Sequence, residues 1–234
     1  MLKLENVSAY YGDSLALSDI NLALPLGAGV AILGRNGAGK STLFKSIMGG
    51  ELNVRGEITL HGKSIVRLEP YQRVRSGLAF VPEDRRIFPH LTVEENLNMA
   101  QHGVAQGREP LRTDEVCELF PLLRDLLQRK GTQLSGGQQQ ILAVARGMVA
   151  RPQYLLLDEP TEGVAPIIVT QMAEQIKRAC EQQHITLIVA EQHVWFARQC
   201  SSSVYVLDTG RIVFGGSWED YDANPAVAEQ YLAV

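Results

Sequence analysis

Gly34-Arg35-Asn36-Gly37-Ala38-Gly39-Lys40-Ser41 follows a short apolar run, Val30-Ala31-Ile32-Leu33, and precedes a stretch of helical character from Ser41 to Met48. It fits the pattern of glycine, four residues, then Gly-Lys-Ser/Thr. The physical meaning lies in the backbone. Glycines let successive N–H groups converge on one oxyanion, and a helix beginning there adds the positive end of its dipole. A lysine at that point reaches the outer phosphates of a nucleotide, and the following hydroxyl suits a magnesium ion. The candidate phosphate-binding set is therefore Gly34, Arg35, Asn36, Gly37, Ala38, Gly39, Lys40, Ser41 and the adjoining Thr42. A strand before the motif and a helix after it are the context that this mechanism requires.

A second chemical cluster stands downstream. Leu155-Leu156-Leu157-Asp158-Glu159-Pro160 is an apolar strand ending in two consecutive carboxylates. Taken alone, Asp-Glu-Pro would read equally well as a solvated acidic turn. With a phosphate loop upstream it reads as the second half of a nucleotide site. Asp158 is expected to hold the Mg²⁺ shell. Glu159, pointing the other way along the pleat, is expected to act as general base on the attacking water.

Around these clusters the chain reads as one α/β domain with a helical insertion. Residues 1–26 alternate as strands around a Tyr11-Gly12-Asp13 turn, and Ile58–Leu60 and Ser64–Val66 read as small strands. Leu78–Val81, Tyr154–Leu157 and Thr186–Val189 read as buried strands, as in parallel sheets covered on both faces. Ile168, Met172, Ile176 and Ala179 recur at helical spacing, whereas Val204–Leu207 and Arg211–Phe214 flank a Thr209-Gly210 turn. From Thr92 to about Gly131 the pattern is helical and polar, and Thr92 with Glu95 forms a capping box. Residues 103–110 are the most loop-like.

Composition limits the function classes. The 234 residues are 45% hydrophobic and 21% charged, which suits a packed core. The net charge of −4 argues against a basic nucleic-acid surface, although Arg85 and Arg86 make a local basic pair. Three widely spaced cysteines suggest neither a disulfide framework nor a zinc site. The opening residues alternate rather than form a continuous apolar leader, and no apolar run of 18 residues exists. Any work at a membrane requires docking onto something that spans it.

With these motifs placed, the segment Leu134-Ser135-Gly136-Gly137-Gln138 is similar to the signature of the ATP-binding cassette family, and the resemblance covers essentially the whole chain. It implies a P-loop core with an N-terminal antiparallel β subdomain over approximately 1–84 and 150–234, and a helical subdomain over approximately 85–149. It implies ATP as substrate, Mg²⁺ as cofactor, and two ATPs sandwiched between two cassettes packed head to tail. Ser135, Gly136, Gly137 and Gln138 would then grip the γ-phosphate held by the opposite cassette. Tyr11 matches the aromatic residue that stacks on adenine, with Tyr10 as the alternative. Glu83 stands where the family usually has a glutamine near Mg²⁺. Gln192 stands at the usual switch-histidine position, with His193 adjacent. Ala165 replaces the customary aspartate of the loop after Glu159.

The run from Phe80 to Pro89, the Leu91-to-Leu97 segment, Glu191-Gln192 and Glu162-Gly163-Val164-Ala165-Pro166 resemble ATPase subunits of branched-chain amino-acid importers, and the length suits the shorter of their two ATPases. Urea and short-chain-amide importers use similar subunits. The implied partners are two membrane permease subunits, a longer sister ATPase or a second copy of this chain, and indirectly a solute-binding protein. The implied place is the cytoplasmic face of the inner membrane. The alternatives are the ATPase of a lipid or lipopolysaccharide exporter, and a cassette protein outside transport. After the last hairpin about 20 residues remain, too few for a regulatory domain.

Overall fold

The computed structural model describes residues 1–104 and 108–232. In chain order the strands are β1 (Leu2–Tyr11), β2 (Ser14–Leu24), β3 (Val30–Leu33), β4 (Asn53–Leu60), β5 (Lys63–Ser64), β6 (Leu78–Val81), β7 (Tyr154–Asp158), β8 (Thr186–Glu191), β9 (Ser203–Asp208) and β10 (Arg211–Ser217). The helices are α1 (Lys40–Met48), α2 (Pro70–Arg75), α3 (Val93–Ala100), α4 (Thr113–Leu119), α5 (Gly136–Val149), α6 (Pro166–Gln182), α7 (Val194–Cys200), α8 (Trp218–Asp222) and α9 (Pro225–Tyr231).

Two sheets result. One is antiparallel, in the order β2-β1-β4-β5; the other runs β10-β9-β3-β8-β7-β6 and is parallel except at the β10 edge. Alternation within each apolar strand sends side chains to two separate cores. Val30, Ile32, Leu156 and Ile188 join Leu43, Phe44 and Ile47 of α1 and the inner face of β1 and β2. Ala31, Leu33, Leu155, Leu157 and Val189 face the other core, built with α5, α6 and α7. Both faces of the parallel strands are covered, which is why those strands read as continuous apolar runs rather than alternating ones. Tyr154 joins the two sheets: its hydroxyl accepts from Leu2 N–H at 2.9 Å and donates to the Leu24 carbonyl at 3.0 Å.

Between β6 and β7 the chain leaves the sheet for α3, α4 and α5. The Thr92 cap forms as its sequence implies. Glu95 N–H donates to Thr92 Oγ1 at 3.1 Å, and Thr92 N–H donates to Glu95 Oε2 at 2.7 Å. The signature helix α5 is capped in the same way by Ser135 and Gln138. It buries Ile141, Val144, Ala145 and Met148 as the spacing requires, and Leu142 and Ala143 as well.

Two local expectations need correction. The strand expected over Ser64–Val66 is instead Lys63–Ser64, because the chain turns inward at Ile65, whose N–H bonds the Ile58 carbonyl at 2.8 Å while its side chain is buried. Glu159 lies beyond the end of β7 and has φ of 44°, so its direction is set by a left-handed turn and not by the pleat. The loop expected over 103–110 lies partly outside the described residues. No described helix is long and apolar enough to cross a membrane.

Candidate active site

The phosphate loop joins β3 to α1. Gly37 and Gly39 have φ of 81° and 109°, conformations that a side chain would strain. At Gly34 the constraint is space, since a Cβ there would lie 2.5 Å from the Leu207 carbonyl oxygen. Glycine is thus required at Gly37 and Gly39 for conformation and at Gly34 for close approach. Gly39 N-caps α1, and Leu43 N–H donates back to its carbonyl at 2.9 Å.

Lys40 is 3% exposed and turns into the loop. Its Nζ donates to the carbonyls of Gly34 at 2.7 Å and Arg35 at 3.1 Å, and lies 3.0 Å from Glu159 Oε1. The loop therefore cradles the ammonium while the Glu159 carboxylate meets it from the end of β7. Glu159 is placed by its own N–H, which donates to the Ala190 carbonyl of β8 at 2.9 Å.

Asp158 ends β7 beside this pair. Burial pushes its carboxyl up to about 6; the Ser41 hydroxyl bonded to it pulls the other way, and the nearby negative charge of Glu159 adds to the rise. Lys40 also favours the charged form, and Glu83 also opposes it. The Oδ1 atom of Asp158 is buried with no hydrogen-bond partner among the described residues. A buried, unpaired carboxylate oxygen beside a serine hydroxyl fits a hard divalent cation. Among the described residues no three His, Cys, Asp or Glu side chains converge as a complete metal cage. This donor set suits an ion that completes its shell with phosphate oxygens and water, as magnesium does.

The remaining expected residues fall into two groups. Gln192 and His193 line one cleft with Gly34, Arg35 and Asn36, so the turn after β8 faces the phosphate loop. Tyr11 is half exposed, and its hydroxyl is 3.4 Å from Thr42 Oγ1. Tyr10 instead stacks with Arg55, whose guanidinium carbon is 5.0 Å from the ring centroid. Signature residues Gly136 and Gly137 lie elsewhere in the molecule. A Cβ on Gly136 would be 3.3 Å from the Gly163 carbonyl, and one on Gly137 would be 2.8 Å from Ile168. Within one chain, then, the structure brings Lys40, Ser41, Asp158, Glu159 and Gln192 around the loop, and sets the signature against the turn that follows Glu159.

Two further residues take roles that no local motif announces. Glu191 is fully buried at the end of β8, and its carboxylate accepts from the N–H groups of Thr161, Gln192 and His193. A carboxylate closing a buried strand was the available signal. Arg85 presents itself in the sequence only as part of a basic pair.

Comparisons with known proteins place the chain in a family. The family model described as ABC transporter matches residues 17–162. The chain is 38% identical over 232 residues to the high-affinity branched-chain amino acid transport ATP-binding protein BraG of Pseudomonas aeruginosa, covering 99% of both chains. It is 35% identical over 217 residues to the probable branched-chain amino acid transport ATP-binding protein LivF of Archaeoglobus fulgidus, covering 93% of this chain and 92% of that one. In structure it is similar to the ATP-binding cassette MJ0796 in a dimeric post-hydrolysis state bound to ADP and Pi. The TM-score is 0.80 at 25% identity, covering 93% of this chain and 98% of that one.

Proposed function

Because this chain belongs to the ABC transporter family and is an ATP-hydrolysing subunit of that family, we propose that it powers import of branched-chain or related amino acids or amides through separate permease subunits. The observation that carries the chemistry is the convergence of Lys40, Ser41, Asp158 and Glu159 at the ends of β3 and β7. The cargo class is supported by likeness over the full length to transport ATP-binding proteins for branched-chain amino acids.

The residues divide the work as follows. The N–H groups of residues 37–42 and the α1 dipole bind the phosphates, and Lys40 exchanges its Glu159 contact for the β- and γ-phosphate oxygens. Tyr11 stacks on the adenine. Ser41 and Asp158 would hold Mg²⁺, with Glu83 nearby. The ion, when bound, supplies neutralisation of phosphate charge. Glu159, released from Lys40, takes a proton from the attacking water. Gln192 donates an amide N–H to the γ-phosphate; it cannot carry the positive charge that a histidine could. Ser135, Gly136, Gly137 and Gln138 serve the ATP of the opposite cassette.

In this reading residues 1–84 and 150–234 are the nucleotide-binding core and 85–149 the helical lobe. ATP closes two cassettes, and closure moves the Glu83 loop with the lobe against the permeases. The second cassette is a longer sister ATPase or a second copy of this chain. A solute-binding protein delivers cargo on the far side, and the chain sits peripherally at the cytoplasmic face of the inner membrane. The test is purification of the tagged protein from native membranes in mild detergent. Two multi-span permeases and a second cassette ATPase are expected as partners. Ribosomal or DNA-repair partners without a membrane protein would overturn the transport reading and leave the ATP chemistry standing.

A further inference from the structure

The turn at residues 161–163 joins the end of the catalytic strand to α6, and the structure holds it by its main chain from two sides. On one side Thr161 N–H donates to Glu191 Oε1 at 3.1 Å. The other oxygen of Glu191 accepts from Gln192 N–H at 3.2 Å and His193 N–H at 3.3 Å. On the other side Arg85 Nη2 donates to the Glu162 carbonyl at 3.0 Å. The same guanidinium reaches α5, with Nε 3.1 Å from Gln140 Oε1 and Nη1 3.4 Å from Gln139 Oε1.

Two charged side chains thus grip one turn from separate segments. Glu191 immediately precedes Gln192. Arg85 lies two residues after Glu83 and is bonded to the helix that Ser135 caps. The fit at this junction is close, since a Cβ on Gly136 would lie 3.3 Å from both Arg85 Nη1 and the Gly163 carbonyl. Arg85 and Arg86 also have φ of 62° and 46°, a conformation that persists only where surroundings enforce it. The three Arg85 bonds supply that enforcement, together with the Arg146 Nη1 bond to the Arg86 carbonyl at 2.7 Å. A lysine could make one of the Arg85 bonds well, but not three in three directions.

We propose that Arg85 and Glu191 are positioning residues that lock residues 161–163 between the Glu83 loop, the signature helix and the Gln192 turn. Through that lock, Glu159 takes its working position only when those segments are in register. The Thr161 hydroxyl adds to the Glu191 grip, whereas Ala165 offers no polar side chain, so the coupling runs chiefly through backbone groups held by these two neighbours. The proposal rests on Glu159 being the general base.

Two measurements on the purified full chain test it. The first is phosphate release with ATP and Mg²⁺, resolved into kcat and KM, beside nucleotide affinity and melting temperature, for wild type, Arg85→Ala, Arg85→Lys, Glu191→Gln and the double variant. Glu191→Gln keeps the side-chain shape and so guards against simple misfolding. The expected result is a kcat reduced about tenfold or more in each single variant, with nucleotide affinity within about twofold of wild type. Arg85→Lys should recover only part of the loss, and the double variant should lose less than the product of the singles, because one broken grip already frees the turn. Wild-type kcat in Arg85→Ala and Glu191→Gln would overturn the proposal, as would losses that follow the melting temperature alone. The second is amide hydrogen exchange without nucleotide. Arg85→Ala should speed exchange at residues 159–163 and also at 191–193, across the turn from the mutation; unchanged exchange there would overturn the lock independently of turnover. If wild type releases no more phosphate than Glu159→Gln, the general-base reading fails, and the exchange result still decides the lock.

Discussion

Lys40 Nζ lies 3.0 Å from Glu159 Oε1, so the ammonium expected to bind phosphate and the carboxylate expected to activate water are paired with each other. Both are largely enclosed, at 3% and 11% side-chain exposure. A lysine freed from this pair gains phosphate oxygens, and the carboxylate freed from it is available to accept a proton. In the proposed function, nucleotide binding and the arming of the base are therefore one exchange of partners.

Replacing Lys40 by alanine removes the side-chain ammonium that sits in the loop carbonyl cradle. Nucleotide affinity should fall at least tenfold, about 1.4 kcal/mol or more. Titration calorimetry with ATP and Mg²⁺ checks this, and undiminished affinity would remove Lys40 from the site.

Burial of Asp158 makes stability depend on pH. Its carboxyl is raised to about 6 by burial, above the ordinary 3.8. The folded state thus holds a proton that the unfolded state has released, so stability of the nucleotide-free protein falls as pH rises from about 4 through 6. At neutral pH the buried charge opposes folding by up to about 3 kcal/mol. Asp158→Asn should accordingly raise the melting temperature at pH 7.5, show a smaller gain at pH 5, and weaken the Mg²⁺ requirement's signature in turnover. Thermal melts across this pH range without metal provide the check.

Tyr11 and Tyr10 are separated by a pair of substitutions. Tyr11→Phe keeps a face for adenine and should leave ATP affinity within about twofold, whereas Tyr11→Ala should weaken it several-fold, on the order of 1 kcal/mol as for base stacking elsewhere. Tyr10, already stacked with Arg55, should tolerate alanine without loss of affinity. Fluorescent-nucleotide titration distinguishes the two.

Gly37 tests the conformational side of the loop without a packing clash. A Cβ there meets nothing within 4 Å, yet φ is 81°. Gly37→Ala should cost about 1–2 kcal/mol of strain where the loop is held, and so weaken nucleotide binding more than it lowers the melting temperature. Gly34→Ala, whose Cβ would meet the Leu207 carbonyl, should lower both.

Most of the fold was legible because its signals are local. The apolar runs at β3, β6, β7 and β8, the Thr92 cap, and the Thr209-Gly210 hairpin each announce themselves within a few residues. The phosphate loop was legible for the same reason. What was not legible depends on contacts between distant segments. The sequence placed Glu159 by the pleat, but the left-handed turn after β7 sets it. Arg85 looks like surface charge until α5 and the Glu162 carbonyl are brought to it, across 54 or more positions of chain. Glu191 becomes informative only when β8 delivers it beneath Thr161.

The central claim is that this site hydrolyses ATP with Glu159 as general base. Steady-state phosphate release by wild type and Glu159→Gln, with ATP and Mg²⁺ and with ATP binding measured in parallel, tests it most directly. Glu159→Gln should bind ATP at least as tightly as wild type and release phosphate at least about a hundredfold more slowly, within the range general acid–base catalysis contributes. Turnover by Glu159→Gln at the wild-type rate would contradict it.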